Sequence, residues 1–213
     1  MHAFPAWNVD ASQILTRREL AKVLGDLRRR SDRLPNVGMN LAIVRLACCC
    51  GLRASEIGGL RLADVVVGIP RPYLTIRAET VKLRRPRRVP LWWDAGTLED
   101  LTRWKERPRS HGAASADPFV CSLQRATSGV PLNRHVLRRR FLTACRILGW
   151  DRLRTLTIHH GRHTFISHAV PLVHEHASLG EVSFHPDDEV ARVCCGPLKS
   201  IGPTLGYRQW KGL

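Results

Sequence analysis

Residues 159–168 read HHGRHTFISH, and their spacing decides how the rest of the chain is read. His159 and Arg162 are three positions apart, so on a helix they share one face. An imidazole and a guanidinium aimed the same way suit a single phosphate group. The guanidinium makes two charge-assisted hydrogen bonds to phosphate oxygens. The imidazole donates or shuttles a proton near neutral pH. The segment reads as helical in spite of Gly161.

The charge of the chain agrees with an anionic partner. Lys and Arg total 34 against 18 Asp and Glu, a net charge of +16 in 213 residues. Self-repulsion of that size points to a polyanion, nucleic acid first. A genome that over-uses Arg codons would give the same balance, so charge alone does not decide. Apolar residues make up 44% and charged residues 24%, which supports a packed core and excludes global disorder. The length suits one domain, or one domain plus a small appendage. The seven cysteines include the run Cys48, Cys49 and Cys50 and form no C-x-x-C pair. That usage argues against a disulfide framework and for a reducing, cytoplasmic location. There is no charged-then-apolar leader at the N-terminus and no apolar stretch of spanning length, so no membrane partner is expected.

Working outward, residues 1–12 read as an irregular lead-in. A helix opens at Thr16, with Glu19 completing a capping box and Leu20, Val23, Leu24 and Leu27 on one face. Residues 39–50 are apolar nearly all round, as in a buried helix stopped by Gly51. A short helix follows at 54–60. Residues 73–78 alternate as a strand, residues 87–91 pair with it, and Pro90 belongs on an edge. Residues 97–106 read as a helix and 107–118 as a loop. Asn133 caps a helix to about residue 148, ended by Gly149. After residue 170 no sustained period remains, so 13–170 reads as the domain and 171–213 as a divergent tail. The fold class is mainly α with a small antiparallel β-sheet.

Two further segments carry chemistry. GLRASEI, residues 51–57, places Arg53 three residues before Glu56. TVKLRRPRRVPL, residues 80–91, packs Lys82, Arg84, Arg85, Arg87 and Arg88 onto the predicted hairpin. Such a hairpin can push a Lys beside phosphates, with the arginines as DNA contacts. The run Arg138–Arg140 either tracks a DNA backbone or forms a solvated helix face.

In this order the segments resemble the catalytic domain of tyrosine recombinases, the phage integrases. GLRASEI looks like the first Arg box, VKLRRPRRVPL like the Lys hairpin, HHGRHTF like the His-x-x-Arg-His box, and LTRREL at 15–20 like the opening of the domain. The resemblance covers roughly residues 13–169. The separate N-terminal clamp domain of the family has no counterpart in the sequence. The resemblance implies double-stranded DNA as partner, a homo-oligomer on DNA, and neither metal nor nucleotide cofactor. Arg53 and Arg162 would hold the scissile phosphate, Lys82 would protonate the leaving 5′ oxygen, and His159 would assist proton transfer. Glu56 would orient the first Arg box.

The resemblance weakens towards the C-terminus. The family continues with a Gly-His box and, some nine residues later, the nucleophilic Tyr. Here His185 stands at the distance of that box, within VSFHPDD and without a preceding Gly, and the position nine further is Cys194. Tyr73 lies in the predicted strand, which leaves Tyr207 as the candidate nucleophile. Three readings stay open. Tyr207 is a displaced nucleophile; or the tail has diverged, for instance by a change of reading frame past residue 168, leaving a non-catalytic DNA-binding protein; or another group such as Cys194 acts, or the nucleophile is supplied in trans. A zinc site among the histidines and Cys194 and Cys195 matches no finger spacing. A metal-dependent nuclease would rest on Asp187, Asp188 and Glu189, which read better as a helix start.

Overall fold

The structure is a computed structural model that describes residues 11–80, 86–91, 94–110 and 112–178. Seven α-helices and three strands are found among these residues: α1 Arg17–Ser31, α2 Pro35–Cys48, α3 Ala54–Gly59, β1 Val65–Val66, β2 Tyr73–Ile76, β3 Arg87–Pro90, α4 Ala95–Ser110, α5 Arg134–Ala144, α6 Trp150–Thr155 and α7 Ile158–Ser178. The architecture is mainly helical with one small antiparallel sheet, as the sequence predicts.

Helix α2 is the centre of the core. Every residue from Val37 to Cys48 is buried, and the helix packs against α1, α4, α5 and α7. Nearly unbroken apolar sequence demands such all-round cover. Arg45 is a charged exception. Its Nε donates to Asp100 Oδ2 at 2.8 Å and its Nη1 to Asp94 Oδ2 at 3.3 Å. Asp100 also accepts from Arg28 Nε at 2.9 and 3.0 Å. Burial works against the Arg45 charge, but Cys49, Asp94 and Asp100 more than offset it, so the guanidinium stays ionised. Two arginines and two aspartates thereby join α1 and α2 to α4 and its approach, and no buried charge of the group is left alone.

Helix α1 begins as expected. Thr16 Oγ1 accepts the Glu19 N–H at 3.1 Å, and Glu19 Oε2 accepts the Thr16 N–H at 2.8 Å. The sheet has the order β1-β2-β3, with Tyr73 opposite Pro90 and Ile76 opposite Arg87. Leu74 and Ile76 point into the core. Pro90 lies on the outer strand, where its missing N–H costs little.

Several boundaries differ from expectation. Helix α2 starts earlier, at Pro35, a residue pre-set for the first helical turn. Strand β2 stops at Ile76, because Arg77 turns away to Asp64 (3.0 Å) and the chain enters a short turn. Helix α4 runs through Pro108 to Ser110. Arg107 holds that last stretch by donating to the Ser31 and Asp32 carbonyls at 2.9 and 3.0 Å. Helix α5 ends at Ala144 and tightens into a 3₁₀ turn over Cys145–Leu148. Helix α7 continues past residue 170 to Ser178. Among the described residues no helix is long and apolar enough to cross a membrane.

Two glycines let α7 approach α2 and the loop after it. A Cβ on Gly161 would stand 2.7 Å from Ala47 Cβ. Gly51 has φ +65°, and a Cβ there would meet the Phe165 ring at 2.4 Å. The chain entry is tied to the same helix, since Thr164 Oγ1 accepts the Leu15 N–H at 2.9 Å and donates to the His160 carbonyl at 2.8 Å. Replacing Gly51 with Ala therefore combines a left-handed backbone with a ring clash. Gly51→Ala is expected to lower unfolding stability by about 2 kcal/mol or more. Gly25→Ala, mid-helix in α1 with nothing within 4 Å of the new Cβ, is expected to raise it by about 0.5–1 kcal/mol. Chemical denaturation of both variants checks the opposite signs.

Candidate functional site

The site is built at the α2–α3 junction. Arg53 is extended (φ −74°, ψ 156°) and caps α3. Glu56, one turn in, reaches back: its Oε2 accepts the Arg53 N–H at 2.8 Å, and its Oε1 accepts from Arg53 Nη1 at 3.3 Å. The Glu56 side chain is fully buried, whereas 38% of the Arg53 side chain stays exposed. Arg53 is thus held by Glu56 through both its backbone N–H and its guanidinium, and over a third of its side chain remains exposed.

Arg87 closes the arrangement from β3. Its Nη1 donates to Glu56 Oε1 and its Nη2 to Glu56 Oε2, both at 2.9 Å. This is the parallel fork of a strong guanidinium–carboxylate pair. Burial alone would raise the Glu56 carboxyl, but Arg87, the Arg53 N–H and the Arg53 charge pull it below its usual range.

Arg162 arrives from α7. Its Nη1 donates to the Gly51 carbonyl at 2.6 Å, two residues before Arg53. The two arginines selected from the sequence therefore share one junction. His159 is exposed on the first turn of α7, its ring 5.6 Å from the His163 ring in an edge-on contact.

The basic hairpin divides. Arg88 is exposed, with its guanidinium carbon 4.5 Å from the centre of the Tyr73 ring. Arg87, expected as a DNA contact beside it, has a side chain only 6% exposed and faces Glu56 instead. A basic run says nothing about which members turn inward. Lys82, Arg84, Arg85, His185, Tyr207 and Cys194 lie outside the described residues.

His160 has a role the sequence reading missed. Its Nδ1 accepts the Thr157 N–H at 3.2 Å. It therefore caps α7 from the third position, as a Glu does in a capping box. The signal was present as a Thr three residues before a His. Burial first, then His163, His159 and Arg152, push the His160 imidazole below its usual value. His163 is lowered by burial, His159 and Arg162, and His168 by burial and Arg17.

The chain belongs to the phage integrase family: the model of that family matches residues 13–183. No curated protein matches it. Among solved structures it is similar to the XerH site-specific recombinase bound to difH substrate, with TM-score 0.58 and 19% identity over 78% of this chain and 44% of that one. It is similar to the XerA recombinase, with TM-score 0.54 and 18% identity over 74% of this chain and 50% of that one. The Tn1549 transposon integrase in complex with transposon right end DNA gives TM-score 0.52 and 18% identity over 91% of this chain and 60% of that one. The chain spans about half the length of the XerH and XerA recombinases it is similar to. Its fold is that of a tyrosine recombinase catalytic domain.

The His160 cap yields a pH prediction. Its folded value lies below its unfolded one, so the stability it contributes is complete above about pH 6.5 and is lost as the pH falls below that. Protonated, Nδ1 no longer accepts the Thr157 N–H. His160→Gln keeps an acceptor that does not titrate. The melting temperature of this variant should fall less between about pH 7.5 and 5.5 than that of the parent. A residual fall is expected, because His163 and His168 shift in the same direction. An identical fall in both proteins would remove His160 from the account.

Proposed function

We propose that the chain binds double-stranded DNA and performs site-specific strand cleavage and rejoining through a 3′-phosphotyrosyl intermediate. The supporting observation is the bond from Arg162 Nη1 to the Gly51 carbonyl at 2.6 Å, beside the partly open Arg53. Two guanidiniums at one junction neutralise the charge that builds on a pentacoordinate phosphorane without a metal.

In this reading the Tyr207 hydroxyl attacks phosphorus. A phosphotyrosyl bond forms at the 3′ side, and the bond to the 5′ oxygen breaks. Lys82 gives that oxygen its proton, and His159 assists proton transfer. A 5′ hydroxyl of another strand then reverses the step, breaking the phosphotyrosyl bond and returning the tyrosine. One phosphodiester replaces another, so no nucleotide cofactor is needed. His185 stands where the family has its Gly-His box. Arg84, Arg85 and the exposed Arg88 would contact DNA phosphates around the site. The functional form is a homo-oligomer assembled on DNA, in a cytoplasmic compartment that keeps the thiols reduced.

A second reading is favoured by one observation. The place nine residues past His185 is Cys194, and Tyr207 comes later. A chain whose tail has diverged would keep the DNA-binding surface and lose catalysis. Incubation with a pool of nicked suicide duplexes of randomised sequence separates the two. The first reading predicts a detergent-stable protein–DNA adduct that disappears in Tyr207→Phe, survives in Tyr73→Phe, and falls about 100-fold or more in Arg162→Ala. Tight, salt-sensitive binding with no adduct establishes the second reading.

A further inference from the structure

We propose that Arg87 is a positioning residue that holds Arg53 in place through Glu56, and is not itself a DNA contact. This rests on the reading of Arg53 as a phosphate ligand. The Arg87 side chain is 6% exposed and engages both oxygens of a fully buried carboxylate at 2.9 Å. Those same two oxygens hold the Arg53 backbone N–H and its guanidinium. Arg87 therefore fixes the carboxylate that fixes Arg53.

Three physical points support an indirect role. To reach a DNA phosphate, Arg87 would break two charge-assisted bonds and leave a buried carboxylate short of its main counter-charge. Only a planar fork satisfies both oxygens together, and a Lys ammonium acts as a point charge. Arg87 also opens β3, directly after the basic segment that contains Lys82 in the sequence. The Glu56 carboxylate thus ties the start of β3 to Arg53.

The test is a double-mutant cycle read in the salt dependence of DNA binding. The probe is a duplex of random sequence, and the observable is the slope of log K against log salt concentration. Losing one phosphate contact lowers that slope by about 0.9. Arg53→Ala is expected to lose this amount. Arg87→Met is expected to lose a similar amount in the parent, and nothing further when Arg53 is already Ala. Losses that add in the double variant, to about 1.8, would overturn the proposal, because Arg87 would then contact phosphate independently. An unchanged slope in Arg87→Met would also overturn it. If Arg87→Met does not fold, Arg87→Lys replaces it: the positioning role loses slope despite the retained charge, whereas a direct contact keeps it. An unchanged slope in Arg53→Ala would strike at the phosphate-ligand reading itself, a distinct outcome that removes the positioning role with it.

Discussion

The geometry of the candidate site depends on one buried carboxylate. Glu56 accepts four hydrogen bonds, two from Arg53 and two from Arg87. A buried carboxylate without such partners would be costly or would take up a proton. With them it becomes a rigid joint between the start of α3 and the edge strand of the sheet. Arg53 is left with a fixed backbone and a guanidinium oriented by Glu56, in a side chain that is still partly exposed, which suits a pre-positioned ligand to an incoming anion.

The rest of the fold brings a second arginine to that joint. Helix α2 is buried on all sides and can be crossed closely by α7 because Gly161 carries no side chain. Gly51 takes the left-handed turn that ends α2 and lets the Phe165 ring lie against it. Its carbonyl then receives Arg162. The glycines that allow the helices to touch thus lie in the same packing contact as the Arg162–Gly51 bond. Thr164 and His160 stabilise the start of α7 from within, by a tie to Leu15 and a cap on Thr157.

Much of this was legible in the sequence, for local reasons. The Thr16 cap, the Asn133 cap, the apolar run of α2 and the strands flanking the basic segment are signals that fit within a few residues. The three boxes marked the family, and Arg162 reaches the Gly51 carbonyl two residues before Arg53. What was not legible depends on distant partners. Arg87 and Glu56 are 31 positions apart, and five basic residues in a short run look alike whether they face solvent or a buried acid. The ion cluster of Arg45, Arg28, Asp94 and Asp100 was hidden for the same reason. β1 is two residues long, too short to show a period. Helix α4 outran its expected end because Arg107 secures a stretch whose Pro and Ser suggested a loop.

Everything at the site follows from Glu56 being an ionised, buried carboxylate gripped by two arginines. The most direct measurement is its titration, followed through the side-chain carboxyl carbon by NMR. The midpoint is expected below the usual glutamate value of about 4.3, because Arg87 and Arg53 outweigh the effect of burial. A midpoint at or above that value would mean that the carboxylate is not held as described, and the joint between the two arginine-bearing elements would fall with it.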